Sequence, residues 1–264
     1  MTRDGIALTV FTKLWKSLPL GELAARFAEM GFDGVELPVR AGFQVTPETM
    51  AKDLPAAART LAAVGLEIAS VAGPIDEASI AACADAGVRI IRICVDIDPA
   101  EGYLAAEARL QREYDALVPI LDRYGVTIGI QNHCDLFVPH AMALRSLIGR
   151  YDRKHFMAVW DPTHCALDGE RPELAIDIVW DHLAMVNLKN AVWVRTNPDA
   201  DVAEFQQRWV PGREGLCHWP TVVSELKKRG YQGPVCLTAE YSDEASADRL
   251  IAEDLAFARG LFAE

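Results

Sequence analysis

The sequence predicts a single (β/α)8 barrel of parallel strands, and three observations carry that expectation. Eight short apolar runs alternate with eight stretches whose apolar residues recur at helical spacing. Entries of the form glycine-then-apolar recur at 31, 65, 87, 125 and 233. No glycine-rich phosphate loop follows the first strand, as an open doubly wound sheet would more often show. A chain of 264 residues is a normal length for one such barrel, and no low-complexity linker divides it, so residues 1–264 read as one domain.

Each element has its own signal. Ile6 to Phe11 is β-rich, and Leu20, Leu23, Phe27 and Met30 then share a helix face that Gly31 closes. Val35 to Leu37 is the second strand. Thr46 and Pro47 read as N-cap and first turn of a helix with Met50, Leu54, Ala58 and Leu61 on one face, kinked at Pro55. The third strand runs from Gly65 to Ala72, Asp76 caps a helix to Ala86, and the fourth strand runs from Gly87 to Val95 and ends at Asp96. Leu110, Tyr114, Leu117, Leu121 and Tyr124 form the clearest helical stripe, stopped by Gly125 before the strand Val126 to Ile130. A helix over 139–150, the strand Phe156 to Trp160, a helix over 172–181 and the strand Leu183 to Leu188 follow. A long polar connection from Lys189 to Leu216 precedes a helix over 220–229. The eighth strand, Pro234 to Ala239, ends at Glu240, and Ile251, Leu255, Ala258 and Phe262 face inward from the last helix.

A net charge of −12, with only Lys227, Lys228 and Arg229 clustered, argues against a nucleic-acid partner. The apolar runs are too short to span a membrane, and no signal pattern opens the chain, so a cytoplasmic protein is expected. Six scattered cysteines without a C-x-x-C pair read as reduced thiols, with Cys83, Cys94 and Cys236 as small core residues.

In such a barrel the chemistry lies at the carboxyl ends of the strands. Those ends present Glu36, Asp96, Gln131, Asp161, Asn187, Lys189 and Glu240. Gln131 opens the polar stretch Gln131-Asn-His-Cys-Asp135, and Asp161 opens Asp161-Pro-Thr-His-Cys165. Asp161 and Glu240 offer anionic oxygens, and Gln131 and Asn187 neutral ones, a set suited to Mg²⁺ or Mn²⁺ rather than Zn²⁺.

Gly31-Phe-Asp-Gly-Val-Glu-Leu37, Asn132-His133, Asp161-Pro-Thr-His164, Asn187-Leu-Lys-Asn190, Gly212-Arg-Glu-Gly215 and Gly230-Tyr-Gln-Gly-Pro-Val-Cys-Leu-Thr-Ala-Glu240 follow one another at matching strand positions. In this the chain resembles the xylose isomerase-like barrels, which include sugar and sugar-phosphate isomerases and epimerases, inosose dehydratase and endonuclease IV. The resemblance implies a carbohydrate substrate and a divalent ion held by glutamate, aspartate, histidine and glutamate on strands five to eight. Asp161 and Glu240 match; Gln131 and Asn187 replace the other two. It also implies a substrate contact by His164, and one by Arg208 or Arg195. Barrels of this kind are often homo-oligomers, and the sequence does not set the number of subunits.

An amide cannot act as general base near neutral pH, which disfavours a two-base epimerase built on Gln131 and Glu240. The expected activity is a sugar, keto-sugar or polyol isomerase or epimerase-type enzyme using one carboxylate base, Glu240. Its alternatives are a one-base lyase or dehydratase and a non-catalytic sugar-binding or subunit barrel. His133 and His164 would supply acid catalysis, and Lys189 would stabilise an enolate oxygen. Substrate contacts are expected from Glu36, Lys189, Arg208 and Trp209.

Blander readings stand beside these. Asp161 and Glu240 could form a salt bridge with Lys189, Gln131 and Asn187 could bond across the barrel mouth, and Glu36 could pair with Arg40. A zinc site of His133, Cys134, His164 and Cys165 is disfavoured, because adjacent residues of an extended segment point to opposite sides; Gln131 and His133 should face inward with Cys134 turned away. His140, His155, His182 and His218 read as packing or surface residues. Trp193, Trp209 and Trp219, around the long connection, read as an apolar lid or wall against a sugar face, with burial against a partner subunit as the alternative.

Overall fold

Parallel strands buried on both faces need an apolar residue outward toward the helices at every second position, and the inward positions are free for other work. The computed structural model, which describes residues 5–263, follows this rule. In chain order its elements are β1 (Ile6–Phe11), α1 (Leu20–Met30), β2 (Gly34–Pro38), α2 (Met50–Ala62), β3 (Glu67–Ala72), α3 (Glu77–Asp85), β4 (Ile90–Cys94), α4 (Tyr103–Tyr124), β5 (Thr127–Gln131) and α5 (Ala141–Ile148). There follow β6 (Phe156–Trp160), α6 (Pro162–Leu167), α7 (Pro172–Val179), β7 (Leu183–Leu188), β8 (Asn190–Arg195), β9 (Phe205–Val210), α8 (Trp219–Lys228), β10 (Gly233–Leu237) and α9 (Ala247–Ala263). Strands β1 to β7 and β10 close into a barrel in the order β1-β10-β7-β6-β5-β4-β3-β2, every pair parallel.

The main core lies between barrel and helices. Leu8, Val10, Val35, Leu37, Ile91, Ile128, Ile130, Val186 and Val235 point outward into it against residues such as Leu23, Phe27, Leu54, Leu61, Leu144 and Ile251. Each such large side chain removed from water stabilises the fold by about 1.5–3 kcal/mol. A smaller apolar plug of Phe11, Ala72, Val159, Met185 and Cys236 fills the barrel interior. The remaining inward positions are polar and buried, among them Thr9, Glu36, Ser70, Arg92, Gln131 and Asn187.

Three local expectations are corrected. Helix α2 begins at Met50, not at Pro47. Thr46 to Thr49 form a turn closed by the Thr49 amide on the Thr46 carbonyl and by the Thr46 amide on the Thr49 hydroxyl. Asp161 does not only end a strand: it caps α6, a helix that was not anticipated, so His164 is helical. The polar connection after β7 is also ordered, since β8 and β9 pair as an antiparallel hairpin from Asn190↔Val210 to Arg195↔Phe205. Its base is anchored by Ala191, buried with Cys134 and Leu167, and by Trp209, packed against them.

No helix among the described residues is long and apolar enough to cross a membrane.

Candidate active site

Period-two alternation carries Asn187 and Lys189 to the same inward side of β7, and barrel closure brings them to Asp161 and Glu240 at the ends of β6 and β10. The β5 end is fastened to the β6 end by Asn132. Its side-chain amide donates to the Asp161 carbonyl at 2.9 Å, and its amide oxygen accepts from the Asp161 N–H at 2.8 Å. Asp161 Oδ1 accepts from the backbone N–H groups of Thr163 and His164, while Oδ2 accepts from Gln131 Nε2 at 2.9 Å. The carboxylate thus sits at a helix N-terminus, where anionic charge is favoured.

The ammonium of Lys189 stands between the two carboxylates, 2.7 Å from Glu240 Oε2 and 3.3 Å from Asp161 Oδ2. Its carbonyl is held by Trp219 Nε1 and the Thr163 hydroxyl, and the Trp209 ring lies 4.7 Å from Nζ. Burial alone would push this ammonium toward the neutral form. Asp161 and Glu240 overcome it and hold Lys189 charged, above the usual lysine range. Burial likewise opposes the charge on Glu240, but Lys189 prevails and keeps its carboxyl below the usual range. Fully buried Asp161 is raised by burial, with Lys189 opposing. Ala239, which precedes Glu240, has φ 52°, a left-handed conformation that costs a non-glycine residue about 1–2 kcal/mol.

The expected divalent-ion set of Gln131, Asp161, Asn187 and Glu240 therefore does not fit an ion. The face that Asp161 and Glu240 share is filled by the Lys189 cation, and Gln131 turns its NH₂ rather than its oxygen to Asp161. A divalent ion placed there would face a like charge. Asn187 lies deeper, with both side-chain polar atoms buried and lacking a protein partner.

His133 and His164 stack with ring centroids 3.8 Å apart. His133 lines a cavity of about 270 Å³ at the barrel mouth together with Phe11, Lys13, Arg40, Arg92, Gln131, Lys189, Thr238 and Glu240. His164 lies behind it, fully buried, and burial followed by Lys189 keeps its imidazole neutral by pushing its pKa well down. The expectation that Cys134 turns away is corrected. The strand ends at Gln131, so residues 132–135 are not extended, Asp135 takes φ 70°, and Cys134 Sγ comes to 3.0 Å from His164 Nδ1. His133, Cys134 and His164 are the residues that could gather round a soft ion. The Cys134 thiol is held protonated by burial and by Asp135, and it also receives a hydrogen bond from Gln207.

Two expected substrate contacts are placed elsewhere. Glu36 is fully buried behind the cavity and pairs with Arg92, not Arg40, through bonds of 2.9 and 2.8 Å, with Ser70 as a third donor. Arg208 alternates with Trp209 on β9 and so faces away, lining an outer groove with Glu214, Asp243 and Glu253. Arg195 is exposed and bonds to the Ala200 carbonyl. Trp209 packs against Cys134, Leu167 and Ala191, Trp193 donates to the Leu167 carbonyl of α6, and Trp219 is core. His140 and His218 cap α5 and α8, and His155 pairs with Asp122.

Sequence reasoning missed Arg92, Lys13 and Thr238. Arg92 had a signal, a lone charge inside the run Ile90-Ile-Arg-Ile-Cys94, which a buried strand tolerates only with an interior partner.

The xylose isomerase-like TIM barrel family matches residues 24–261 of this chain. No curated protein sequence matches it. Among solved structures, a xylose isomerase domain protein from Planctomyces limnophilus superposes with a TM-score of 0.71 at 16% identity, over 97% of this chain and 96% of that one. The 3-keto-D-glucoside 4-epimerase YcjR from E. coli gives 0.71 at 16% identity, over 97% and 99%. The probable 3-DHS dehydratase AsbF from Bacillus anthracis gives 0.69 at 13%, over 95% and 97%.

Proposed function

The chain belongs to the xylose isomerase-like TIM barrel family, and from that premise we propose an enzyme that removes a proton from carbon next to a carbonyl of a small hydroxylated substrate. The observation that carries the reading is the Lys189 ammonium between Asp161 and Glu240. Glu240, ionised and open to the cavity, takes the proton. The electron pair moves onto the carbonyl oxygen, and Lys189 is the fixed cation that stabilises the resulting enolate, a task that needs a charge held in place before the reaction begins. Asp161 and Gln131 position Lys189; Trp209 limits water around it. His133 would return a proton, either to the former carbonyl carbon while the hydroxyl on the deprotonated carbon passes its own proton to the enolate oxygen, for isomerisation, or to a departing hydroxyl, for elimination. Similar folds include both an epimerase and a probable dehydratase, which supports either outcome after a common first step.

A sugar-binding barrel without catalysis is the second reading, favoured by the same ion pair, because a carboxylate neutralised by lysine is a weaker base. Proton exchange separates the two. In D₂O, NMR of a panel of ketohexoses and α-hydroxy-keto acids should show enzyme-dependent exchange at carbon next to the carbonyl. Glu240→Gln should slow it by about 10²–10⁴-fold. Full exchange by Glu240→Gln, or substrate binding without any exchange, overturns the catalytic reading.

A further inference from the structure

The cavity carries an excess of positive charge in a chain whose net charge is −12. Its lining holds Lys13, Arg40, Arg92 and Lys189, and the carboxylates that meet them are Glu36, Asp161 and Glu240. The charge of Arg92 is balanced by its two bonds to Glu36, and that of Lys189 by Glu240 and Asp161. Lys13 reaches Glu240 only at 3.9 Å, with its side chain 45% exposed. Arg40 makes no ion pair among the described residues. Its guanidinium lies 5.9 Å from the Phe11 ring centroid, which also carries Arg92 at 4.7 Å, so two like charges flank one aromatic ring. Burial and then Arg92 push the Arg40 pKa down, the signature of a cation short of an anion. The same cavity is lined by Thr238, whose buried hydroxyl has no hydrogen-bond partner.

We propose that the substrate carries an anionic oxygen group, a carboxylate or a phosphate, which Arg40 and Lys13 bind at the rim of the cavity while the carbonyl end faces Lys189 and Glu240. This rests on the reading of the cavity as the substrate site. An anion on the Arg40 side matches the local charge, and a planar guanidinium offers paired N–H donors to such a group. Lys189, already flanked by Asp161 and Glu240, is left for the carbonyl end. A neutral sugar leaves Arg40 unpaired beside Arg92.

Calorimetric titration with D-gluconate, D-glucitol and inorganic phosphate tests this without requiring turnover. Gluconate and glucitol share a carbon chain and differ in charge. Gluconate should bind wild type at least about tenfold more tightly than glucitol, with an affinity that falls as salt rises. Arg40→Met, at an exposed position, should abolish most of that preference, and the Arg40→Met/Lys13→Met pair should abolish the rest. Tight phosphate with weak gluconate would also support the inference and assign a phosphoryl group; the converse would assign a carboxylate. Equal affinity for glucitol and the anions, or a preference that survives in the double variant, overturns it. Glu240→Gln should keep the anion preference while losing proton exchange, so exchange that survives in Glu240→Gln with the preference intact counts against the catalytic reading and not against this one.

Discussion

Lys189→Met removes the cation from between Asp161 and Glu240 while keeping most of the side-chain volume. Asp161 has no solvent access, the Lys189 side chain is 2% exposed and that of Glu240 is 23% exposed, so solvent can relieve only one of the two carboxylates. Stripping one partner from a buried ion pair costs about 3–5 kcal/mol, because the remaining charge is left uncompensated. The loss should depend on pH with a definite sign. Burial already raises the Asp161 pKa, and removing Lys189 takes away the main opposing influence, so it rises further. A carboxyl whose folded pKa lies above its unfolded value contributes most below the unfolded value and loses that contribution as pH rises through the folded one. The deficit of the variant against wild type should therefore be smaller at pH 5 than at pH 8. Urea unfolding of both proteins at the two pH values measures it. In Lys189→Ala, which empties the space as well as removing the charge, a divalent ion should bind, so Mn²⁺ should raise the melting temperature of that variant and leave wild type unchanged. A deficit under about 1 kcal/mol at both pH values, or wild type stabilised by Mn²⁺ as strongly as the variant, would refute the assignment of the ion's place to lysine.

Asp254 accepts from the Gly212 N–H and the Tyr241 hydroxyl, each at 2.8 Å, and burial raises its pKa to about 6. By the same sign, it should cost wild type up to about 3 kcal/mol as pH rises from 4 to 8, and Asp254→Asn should flatten that slope in urea midpoints; equal slopes would contradict this. Gly215→Ala places a methyl group onto the Asn190 amide, whose Nδ2 holds the Gly212 and Cys217 carbonyls, so a loss of about 1–3 kcal/mol is expected. In a chain of this size that lowers the melting temperature by several degrees, and an unchanged value would show that Asn190 yields.

Much of the barrel was legible because its signals are local. Apolar alternation, the glycines that end α1 and α4, and the Asp76 cap of α3 act within a few residues, and the structure repeats each. The β8–β9 hairpin was not legible, since half of its strand residues are exposed and its two strands pair with each other and not with the barrel. Cys134 failed for a related reason: the alternation rule holds only while the chain is a strand, and β5 stops at Gln131.

The sequence by itself determined which residues gather toward the carboxyl ends of the strands, because alternation carries Gln131, Asn187 and Lys189 to one side of β5 and β7 while Asp161 and Glu240 follow the ends of β6 and β10. It could not determine which of them meet. That Lys189 bridges Asp161 and Glu240 depends on the β7–β6 and β7–β10 registers. That Glu36 takes Arg92 rather than Arg40 depends on two inward positions facing each other across β3. Partner choice among charges is decided by distances through space and by burial, and both exist only once the barrel has closed.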